Sequence, residues 1–437
     1  MILVDTALRA LSEARTPLRV GLIGAGFIGR GVAHQILTGI PGMEVVAIAS
    51  RNAQRAEETY FVAGAAATLV STVAELEDAV RGGTFAVTED AGLVCSAPCV
   101  DVVIEATGDV ESGARFVLLA VDHGKPVVMV NVQLDATLGP ILKAYADRAG
   151  VLISGADGDQ PGEQLNLCRR AKGMGMTPLV CGNIKGMLDH YRTPETQRSF
   201  ADAWGQKAEM VTSFADGTEI SFEQATVANA AGMQLPKSVT LGRAFGGHVR
   251  ELTESYDFSE LVELGGVIDY VVGAQPSPGV FVLATHADPT QQRYLDYYKM
   301  GKGPLYCLYT PHIVVHFSIP FSAARLSLFK DVVMAPLGRP MVDVVATAKT
   351  NLCAGQVLDG IGGFSTYGKC ENADVTHARR YLPMGLAEGC RLTRSVKKDE
   401  VITYQDVQLR RGRLSDRLRL EQDAMFFGKP SGARDAN

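Results

Sequence analysis

The sequence feature that most constrains the fold is a glycine-rich turn close to the N-terminus. Residues 19–23 form an apolar run that predicts a buried strand, and Gly24, Gly26 and Gly29 follow it directly before a helical stretch. In a turn of this spacing the first glycine allows the bend, the second admits a pyrophosphate, and the third lets the helix pack on the strand. The free N–H groups and the dipole of the helix start attract phosphate. A second apolar strand at 44–50 completes the pattern of a dinucleotide-binding unit. The predicted cofactor contacts of the turn are Gly24, Gly26, Phe27, Ile28 and Gly29.

Composition limits the class of protein. A chain of 437 residues is expected to hold two or three domains. Its net charge of −6 argues against nucleic acid or an anionic membrane as the main partner, and no stretch approaches the roughly 20 apolar residues of a membrane span. The eight cysteines form no C-x-x-C pair, and we see no signal peptide. We therefore expect a cytoplasmic protein with reduced thiols.

Residues at the ends of later strands indicate which nicotinamide cofactor is used and where it lies. Ser50 and Arg51 follow the second strand, where enzymes that prefer NAD carry an acid for the ribose hydroxyl. A hydroxyl beside an arginine favours the 2′-phosphate of NADP(H), although Arg51 in an exposed loop is the alternative. Thr107 and Gly108 end a strand in a small-residue turn, which suits the ribose and nicotinamide. Asn131 ends the next strand and is predicted to contact the nicotinamide amide, unless it only closes a turn.

An acidic loop follows the last strand of this region. Asp157, Asp159 and Glu163 lie within seven residues of a glycine-rich segment. Such a loop can hold a divalent cation, Mg²⁺ or Mn²⁺, through Asp157 and Asp159, or it can supply a group for proton transfer. It can equally be an acidic turn before a helix whose first turn favours Glu163. The sequence leaves these alternatives open.

The remaining chain predicts a second sheet and a small β module. Residues 179–186 form a strand that ends on Lys185, and further strands are expected within 214–227 and 266–284. We interpret this sheet as a surface for substrate binding and subunit pairing. Past Pro340 the short strands and tight turns predict a separate β module. A helix is expected at 418–427, with the last ten residues disordered.

Several longer motifs resemble a known family. The first domain with the acidic loop resembles homoserine-dehydrogenase-like oxidoreductases, and residues 383–387 together with 401–407 look like a SAF (antifreeze-like) module. Combined with 267–270, 277–282 and 301–304, these motifs resemble the DXR-like (DRL) proteins. That family is a bacterial alternative to 1-deoxy-D-xylulose 5-phosphate reductoisomerase in isoprenoid precursor synthesis. Val132 stands where homoserine dehydrogenases carry a lysine, which argues against homoserine as the substrate.

The resemblance implies an α/β architecture of several domains. We expect a Rossmann NAD(P)-binding domain at 1–155, an α+β catalytic and dimerisation domain at 156–340, and a small all-β SAF (β-clip) domain at 341–410. A C-terminal helix and tail would fill 411–437. By analogy the protein is expected to be a homodimer or higher homo-oligomer.

The resemblance also implies chemistry. NADPH would reduce an aldehyde formed by rearrangement of a phosphorylated ketose, and the alternatives are another sugar phosphate, a nucleotide sugar or a polyol as substrate. A nucleotide-binding regulator without enzymatic activity is a further alternative. The candidate catalytic residues are Lys185, Asp157 and Asp159. The candidate substrate-phosphate contacts are Lys302, His312 and Arg325.

Overall fold

The structure is a computed structural model that describes residues 2–428. The helices are α1 Ile2–Ala14, α2 Phe27–Gly39, α3 Ala53–Val62, α4 Val73–Arg81, α5 Ala91–Ser96, α6 Val110–Asp122, α7 Val132–Ala149, α8 Gln160–Gly173, α9 Pro194–Trp204, α10 Ala208–Asp216, α11 Thr218–Ala231, α12 Phe258–Leu264, α13 Pro289–Tyr297, α14 Val315–Phe329, α15 Ala373–Arg379 and α16 Leu414–Phe427. The strands are β1 Leu18–Ile23, β2 Met43–Ala49, β3 Ala67–Leu69, β4 Phe85–Thr88, β5 Val102–Glu105, β6 Val127–Met129, β7 Ile153–Gly155, β8 Thr177–Lys185, β9 Arg243–Ala244, β10 Val267–Val272, β11 Gly279–Thr285, β12 Tyr306–Thr310, β13 Val342–Ala348, β14 Thr366–Asn372, β15 Arg391–Leu392 and β16 Val407–Gln408.

The described chain divides into two compact units. Unit 1 contains residues 2–135, 141–162 and 314–335, and unit 2 contains 136–140, 163–313 and 336–428. None of the helices between residues 2 and 428 combines the length and apolar character that a membrane crossing requires.

Unit 1 is built on a parallel sheet of the predicted Rossmann type. Its seven strands follow the order β3-β4-β2-β1-β5-β6-β7, and each neighbouring pair is parallel. The strand order reverses direction between β1 and β5. In such sheets ligands bind outside the carboxyl ends of the strands at this reversal. The predicted α/β class is confirmed.

Unit 1 also includes a helix from much later in the sequence. α14 contacts α2 and the strands β5, β6 and β7, and its Ile319 and Leu326 belong to the same apolar core as Val20 and Ile48. From the sequence, this segment is expected to belong to the catalytic domain at 156–340. Its apolar side chains instead complete the core of the first unit.

Unit 2 contains a five-stranded mixed sheet in the order β12-β11-β8-β10-β9. β8 is parallel to β10 and antiparallel to β11. The strands predicted within 266–284 are therefore present as β10 and β11. The prediction of strands within 214–227 is wrong, because this segment forms the end of α10 and most of α11. Gly217, with φ of +88°, separates the two helices.

The C-terminal part of unit 2 contains less regular strand than predicted. β13 pairs with β14, and β15 pairs with β16, both antiparallel. Elsewhere the module is held by isolated bridges, such as Leu352 with Val396 and Tyr381 with Thr403, and α15 was not predicted. The predicted C-terminal helix is α16, and the disordered tail predicted at its end lies, from residue 429 onward, outside the described residues. The SAF identity of the module stays a prediction.

Candidate functional site

The glycine turn meets the loop after β5 at the reversal of strand order in unit 1. The N–H of Ala106 donates to the carbonyl of Ile23, at 2.8 Å. Gly24 has φ of +109°, and a β-carbon at this position would lie 2.5 Å from the carbonyl oxygen of Ala106. A side chain at Gly24 would therefore strain the backbone and separate the two loops.

The other two glycines of the turn have opposite surroundings. A β-carbon on Gly29 would lie 2.0 Å from the carbonyl oxygen of Gly24, whereas a β-carbon on Gly26 would meet nothing within 4 Å. Gly26 is the N-cap of α2, and no side chain caps this helix start. The first amide groups of α2, at Phe27 and Ile28, thus face space that a pyrophosphate can fill.

The end of β2 carries the residues predicted to select NADP(H). The N–H of Ser50 donates to the carbonyl of Thr88, at 2.9 Å, and the Ser50 hydroxyl accepts from the N–H of Asn52, at 3.2 Å. Arg51 is exposed. Because β2 neighbours β1 in the sheet, Arg51 lies on the side of the glycine turn where the adenosine half of a dinucleotide binds.

A buried carboxyl that the sequence analysis missed organises the loop after β5. Glu105 is fully buried, and its Oε1 accepts from the N–H of Thr107, at 2.9 Å, and from the Thr107 hydroxyl. Burial raises the pKa of the Glu105 carboxyl to about 7, against the hydrogen bonds from Thr107 and Asn131. Gly108 follows with φ of +66°. Thr107 and Gly108 thus form a turn that is held by hydrogen bonds from Thr107 to Glu105. The sequence feature that indicates Glu105 is a charged residue within an otherwise apolar strand.

Asn131 has a different role from the predicted contact with the nicotinamide amide. Its side chain is buried, its Oδ1 accepts from the N–H of Leu134, at 3.1 Å, and its Nδ2 donates to the carbonyl of Asp109, also at 3.1 Å. The amide therefore caps α7 and ties it to the turn before α6. This corresponds to the turn-closing alternative, and the nicotinamide contact is not supported.

Asp157 and Arg325 pair with each other in unit 1. Nη1 of Arg325 lies 3.0 and 2.9 Å from the two carboxylate oxygens of Asp157, and the side chains are 6% and 5% exposed. Arg325 also pairs with Asp331, at 2.8 Å, and the N–H of Asp157 donates to the Ser322 hydroxyl. The predicted role of Arg325 as a phosphate contact is not supported, because its guanidinium is enclosed between two carboxylates. Asp157 is likewise engaged in fixing α14 to the loop after β7.

Asp159 lies two residues after Asp157 in the same loop. It is partly buried, and its Oδ1 accepts from the N–H of Gln160, at 2.9 Å. Burial raises the pKa of Asp159 to about 6. No three His, Cys, Asp or Glu side chains within residues 2–428 are grouped to hold a metal ion. Asp157 is already paired with Arg325, and a divalent cation at Asp157 and Asp159 stays a prediction.

Lys185 lies at the carboxyl end of β8 in unit 2. It pairs with Val272 of β10, and its carbonyl accepts from the N–H of Gly273, at 2.9 Å. The side chain is partly buried, and its ammonium has no hydrogen-bond or ion-pair partner in the part of the chain that the structure describes. A fixed backbone thus presents three unused N–H donors at the edge of the sheet.

His312 belongs to the same edge of this sheet as Lys185. Val280 of β11 pairs with Asn183 of β8 on one side and with Thr310 of β12 on the other. The carboxyl ends of β8 and β12 therefore lie at one edge, with β11 between them, and His312 follows β12 as an exposed residue.

Lys302 lies toward the other edge. Ala284 pairs with Pro178 near the start of β8 and with Tyr306 at the start of β12, so the loop that carries Lys302 enters β12 at the edge opposite Lys185. Lys302 is exposed. The structure places Lys302 before the start of β12 and His312 after its end, so a phosphate site shared by these two predicted contacts is not supported.

Two family comparisons divide the chain in the same order as the structure. Residues 24–154 match the family described as homoserine dehydrogenase, NAD binding domain. Residues 158–319 match the family described as oxidoreductase DRL, catalytic domain. A homoserine dehydrogenase from Methylobacillus glycogenes is 31% identical over 122 residues, which is 28% of this chain and 26% of that enzyme. The match thus spans about a quarter of the curated relative.

The comparison with solved structures gives oxidoreductases of low identity and low TM-score. A putative oxidoreductase from Magnetospirillum magnetotacticum MS-1 is 16% identical, covering 72% of this chain and 91% of its own, with a TM-score of 0.35. The 1-deoxy-D-xylulose 5-phosphate reductoisomerase from Zymomonas mobilis is 16% identical, covering 48% and 57%, with a TM-score of 0.36. A probable dehydrogenase from Thermotoga maritima is 14% identical, covering 62% and 73%, with a TM-score of 0.34. At these scores none of them indicates a substrate.

Proposed function

We propose that the chain is an NAD(P)-dependent oxidoreductase and, more specifically, an NADPH-dependent reductoisomerase. Its residues 24–154 match the homoserine dehydrogenase NAD-binding family, and its residues 158–319 match the DRL catalytic family. The proposed reaction converts 1-deoxy-D-xylulose 5-phosphate to 2-C-methyl-D-erythritol 4-phosphate. The observation that carries the proposal is the match of residues 158–319 to the DRL catalytic family, behind a glycine turn with room for a pyrophosphate.

Unit 1 would bind the cofactor. The open space over Gly26 and the uncapped start of α2 suit the pyrophosphate, and Thr107 and Gly108 suit the nicotinamide half. Arg51 supports NADPH over NADH, because an exposed guanidinium at the end of β2 can form a bidentate pair with a 2′-phosphate.

Lys185 is the proposed proton donor. In the proposed reaction a carbon–carbon bond of the ketose breaks and a new one forms, giving a branched aldehyde without net oxidation. Reduction of that aldehyde consumes one hydride and one proton, and the reduced nicotinamide supplies the hydride when bound. The unpaired ammonium of Lys185 can bind the aldehyde oxygen, stabilise its developing negative charge and donate the proton.

Asp159 is the proposed acid–base group for the rearrangement step. A carboxyl with a pKa raised to about 6 can accept a hydroxyl proton and return it near neutral pH. Because Asp157 is paired with Arg325, we assign it the role of fixing the loop that carries Asp159. No step of the proposal passes through a metal ion at this pair.

The phosphate of the substrate would be bound at the Lys185 edge of the second sheet. His312 is the candidate there, since the carboxyl ends of β8 and β12 share that edge. The sheet also supports the expectation of a homo-oligomer, by analogy with other enzymes that pair through a second sheet domain.

The experiment follows NADPH absorbance with 1-deoxy-D-xylulose 5-phosphate and then identifies the product by mass spectrometry. We expect NADPH oxidation by the wild type and loss of turnover in Lys185→Ala, with NADPH affinity unchanged. NADPH oxidation with other sugar phosphates, nucleotide sugars or polyols, but not with this ketose, would contradict the proposed substrate and still support an oxidoreductase. Binding of NADPH without oxidation by any of them would favour the regulator.

A further inference from the structure

The segment that follows Lys185 reaches unit 2's C-terminal module. Residues 186–193 contain no helix or strand, and they connect β8 to α9. We call them the Lys185 loop, and we call residues 341–410 the module. Asp189 makes the contacts within the loop: its carboxylate accepts from the N–H of Tyr191, at 3.1 Å, and its carbonyl accepts from the N–H of Arg192, at 3.2 Å, while its own N–H donates to the carbonyl of Ala215 in α10, at 2.9 Å. The Arg192 side chain also pairs with the Asp189 carboxylate, at 3.1 Å, with both side chains about two-fifths exposed. A surface pair of this kind contributes little to stability, so the loop depends on contacts outside itself.

A single carboxylate of the module holds the middle of the loop. The hydroxyl of Tyr191 donates to the two oxygens of Asp399, at 3.1 and 2.9 Å. The hydroxyl of Tyr367, from β14, donates to the same carboxylate, at 3.2 Å. Nζ of Lys398 lies 3.4 Å from the centre of the Tyr191 ring, which adds a cation–π contact. Asp399 thus joins a loop residue to a residue of the module.

The backbone at Asp399 is held in an uncommon conformation. Its φ is +65°, in the left-handed region that non-glycine residues rarely adopt. Its N–H donates to the carbonyl of Ala348, at 2.8 Å, which ties this turn to the end of β13. The turn that carries the Asp399 carboxylate is therefore fixed at its backbone.

A buried lysine holds the far end of the loop. Nζ of Lys349 donates to the carbonyls of Arg192, at 2.8 Å, and Gly363, at 2.7 Å. It also pairs with Asp216, at 2.8 Å, and the two side chains are 2% and 0% exposed. All three donors of the ammonium are used. Since neither charge meets water, removal of one would leave the other unpaired and buried.

A histidine of the loop is enclosed by the same groups. Nδ1 of His190 lies 2.6 Å from the carbonyl oxygen of Asp216, and the His190 ring stacks on Tyr367 with centres 4.5 Å apart. Three consecutive residues of the loop, 190–192, therefore contact the module or the ion pair that it forms.

We propose that the module positions the Lys185 loop, with Asp399 as the positioning residue. The loop in this position would form one wall of the site around the Lys185 side chain. In this proposal the β8 backbone fixes the position of the Lys185 α-carbon, and the loop determines the surroundings of the Lys185 ammonium. The inference rests on the proposed role of Lys185, and it gives the module a function in the same site.

The test compares two variants that each remove one hydroxyl from Asp399. Tyr191→Phe removes the hydrogen bond from the loop to Asp399. Tyr367→Phe removes a comparable donor to Asp399 but keeps the ring on His190 and the hydrogen bond of the loop. Amide hydrogen exchange of the peptide spanning 186–193 should accelerate about tenfold in Tyr191→Phe. This factor corresponds to the low end of the free energy that a hydrogen bond to a charged group contributes. In Tyr367→Phe we expect less than a twofold change. Equal exchange in the two variants would overturn the proposal.

A second readout is the chemical reactivity of Lys185 itself. If the loop were purely structural, loosening it would not change the reactivity of the Lys185 amine. Acylation by an N-hydroxysuccinimide ester, followed by mass spectrometry, should be faster at Lys185 in Tyr191→Phe than in Tyr367→Phe. Lys302, at the other edge of the sheet, is the internal control and should react equally in both. Unchanged acylation of Lys185 would also overturn the proposal. Both readouts work without a substrate, so they stand even if 1-deoxy-D-xylulose 5-phosphate is not turned over.

Discussion

The carbonyl oxygen of Ala106 lies 2.5 Å from the position that a β-carbon of Gly24 would take. This contact joins the loop after β1 to the loop after β5, where the strand order of the Rossmann sheet reverses. Gly24 therefore belongs to the framework of the site, whereas Gly26, with open space above it, belongs to its surface.

The two glycines are predicted to respond differently to alanine. Gly26→Ala should keep the thermal midpoint, since its φ of −75° suits any residue. It should weaken NADPH binding about tenfold or more, because the methyl group occupies the space for the pyrophosphate. A tenfold loss corresponds to about 1.4 kcal/mol of binding free energy. Gly24→Ala should lower the thermal midpoint, at a cost of about 1–3 kcal/mol for the strained backbone. Calorimetric titration and thermal unfolding measure both, and the reverse pattern would contradict this arrangement of the turn.

Arg51 is predicted to select the cofactor. Arg51→Ala should weaken NADPH binding by about tenfold and leave NADH binding unchanged. The factor corresponds to the roughly 1.5 kcal/mol that a hydrogen bond to a charged group contributes. Arg81→Ala is the matched control, because Arg81 forms only an exposed pair with Asp78. Dissociation constants for both dinucleotides decide the question. Equal losses for NADPH and NADH would show that Arg51 does not contact the 2′-phosphate.

Arg325 is predicted to stabilise unit 1 and not to bind substrate. Arg325→Leu leaves Asp157 and Asp331 without their buried cation, so we expect a loss of about 3–5 kcal/mol in the free energy of unfolding. Asp157→Asn should cost less, since Arg325 keeps Asp331. Denaturant unfolding measures both variants. A stable Arg325→Leu protein with a raised KM for a phosphorylated substrate would restore the phosphate-binding role.

Asp135 is predicted to make stability depend on pH. Its side chain is 2% exposed, both carboxylate oxygens lack a hydrogen-bond partner among the described residues, and burial raises its pKa to about 7. An unfolded aspartate titrates near pH ~3.9. The folded protein therefore keeps a proton that the unfolded chain releases, so this contribution is complete below about pH 4 and lost as the pH rises through about 7.

Asp135→Asn should remove that dependence. Between about pH 4 and 7 the free energy of unfolding of the wild type, relative to the variant, should fall by up to about 4 kcal/mol, from roughly three pKa units at 1.36 kcal/mol each. Denaturant titrations at several pH values provide the measurement. Stability curves of wild type and variant that run parallel would mean that Asp135 is ionised in the folded protein.

The sequence predicts the first unit well because its elements are local. Strands such as β2 and β4 are mostly apolar and are buried along most of their length, and the glycine turn is a short motif with a defined geometry. The second unit contains the main error, at 214–227. Every residue of α11 from Thr218 to Ala230 is buried, so the helix lacks the one-sided apolar pattern by which a surface helix is identified.

The candidate site was less predictable because its partners are far apart in the sequence. Lys349 and Asp216 are 133 residues apart, and Arg325 and Asp157 are 168 apart. Nothing in the sequence around Arg325 identifies Asp157, 168 residues away, as its buried partner, so the sequence does not distinguish a paired arginine from one that binds a phosphate. Asn131 shows the same limit, since an asparagine at a strand end suits both a cofactor contact and a helix cap.

The most direct test of the central claim is the transfer of deuterium to the product from NADPH that carries deuterium at both hydrogen positions of nicotinamide C4. With 1-deoxy-D-xylulose 5-phosphate, the account predicts that the wild-type protein forms 2-C-methyl-D-erythritol 4-phosphate one mass unit heavier than the unlabelled product, and that Lys185→Ala binds the same cofactor but forms none. Full binding of NADPH by the wild type with no deuterium in this product, whatever the concentration of the ketose, would contradict the account.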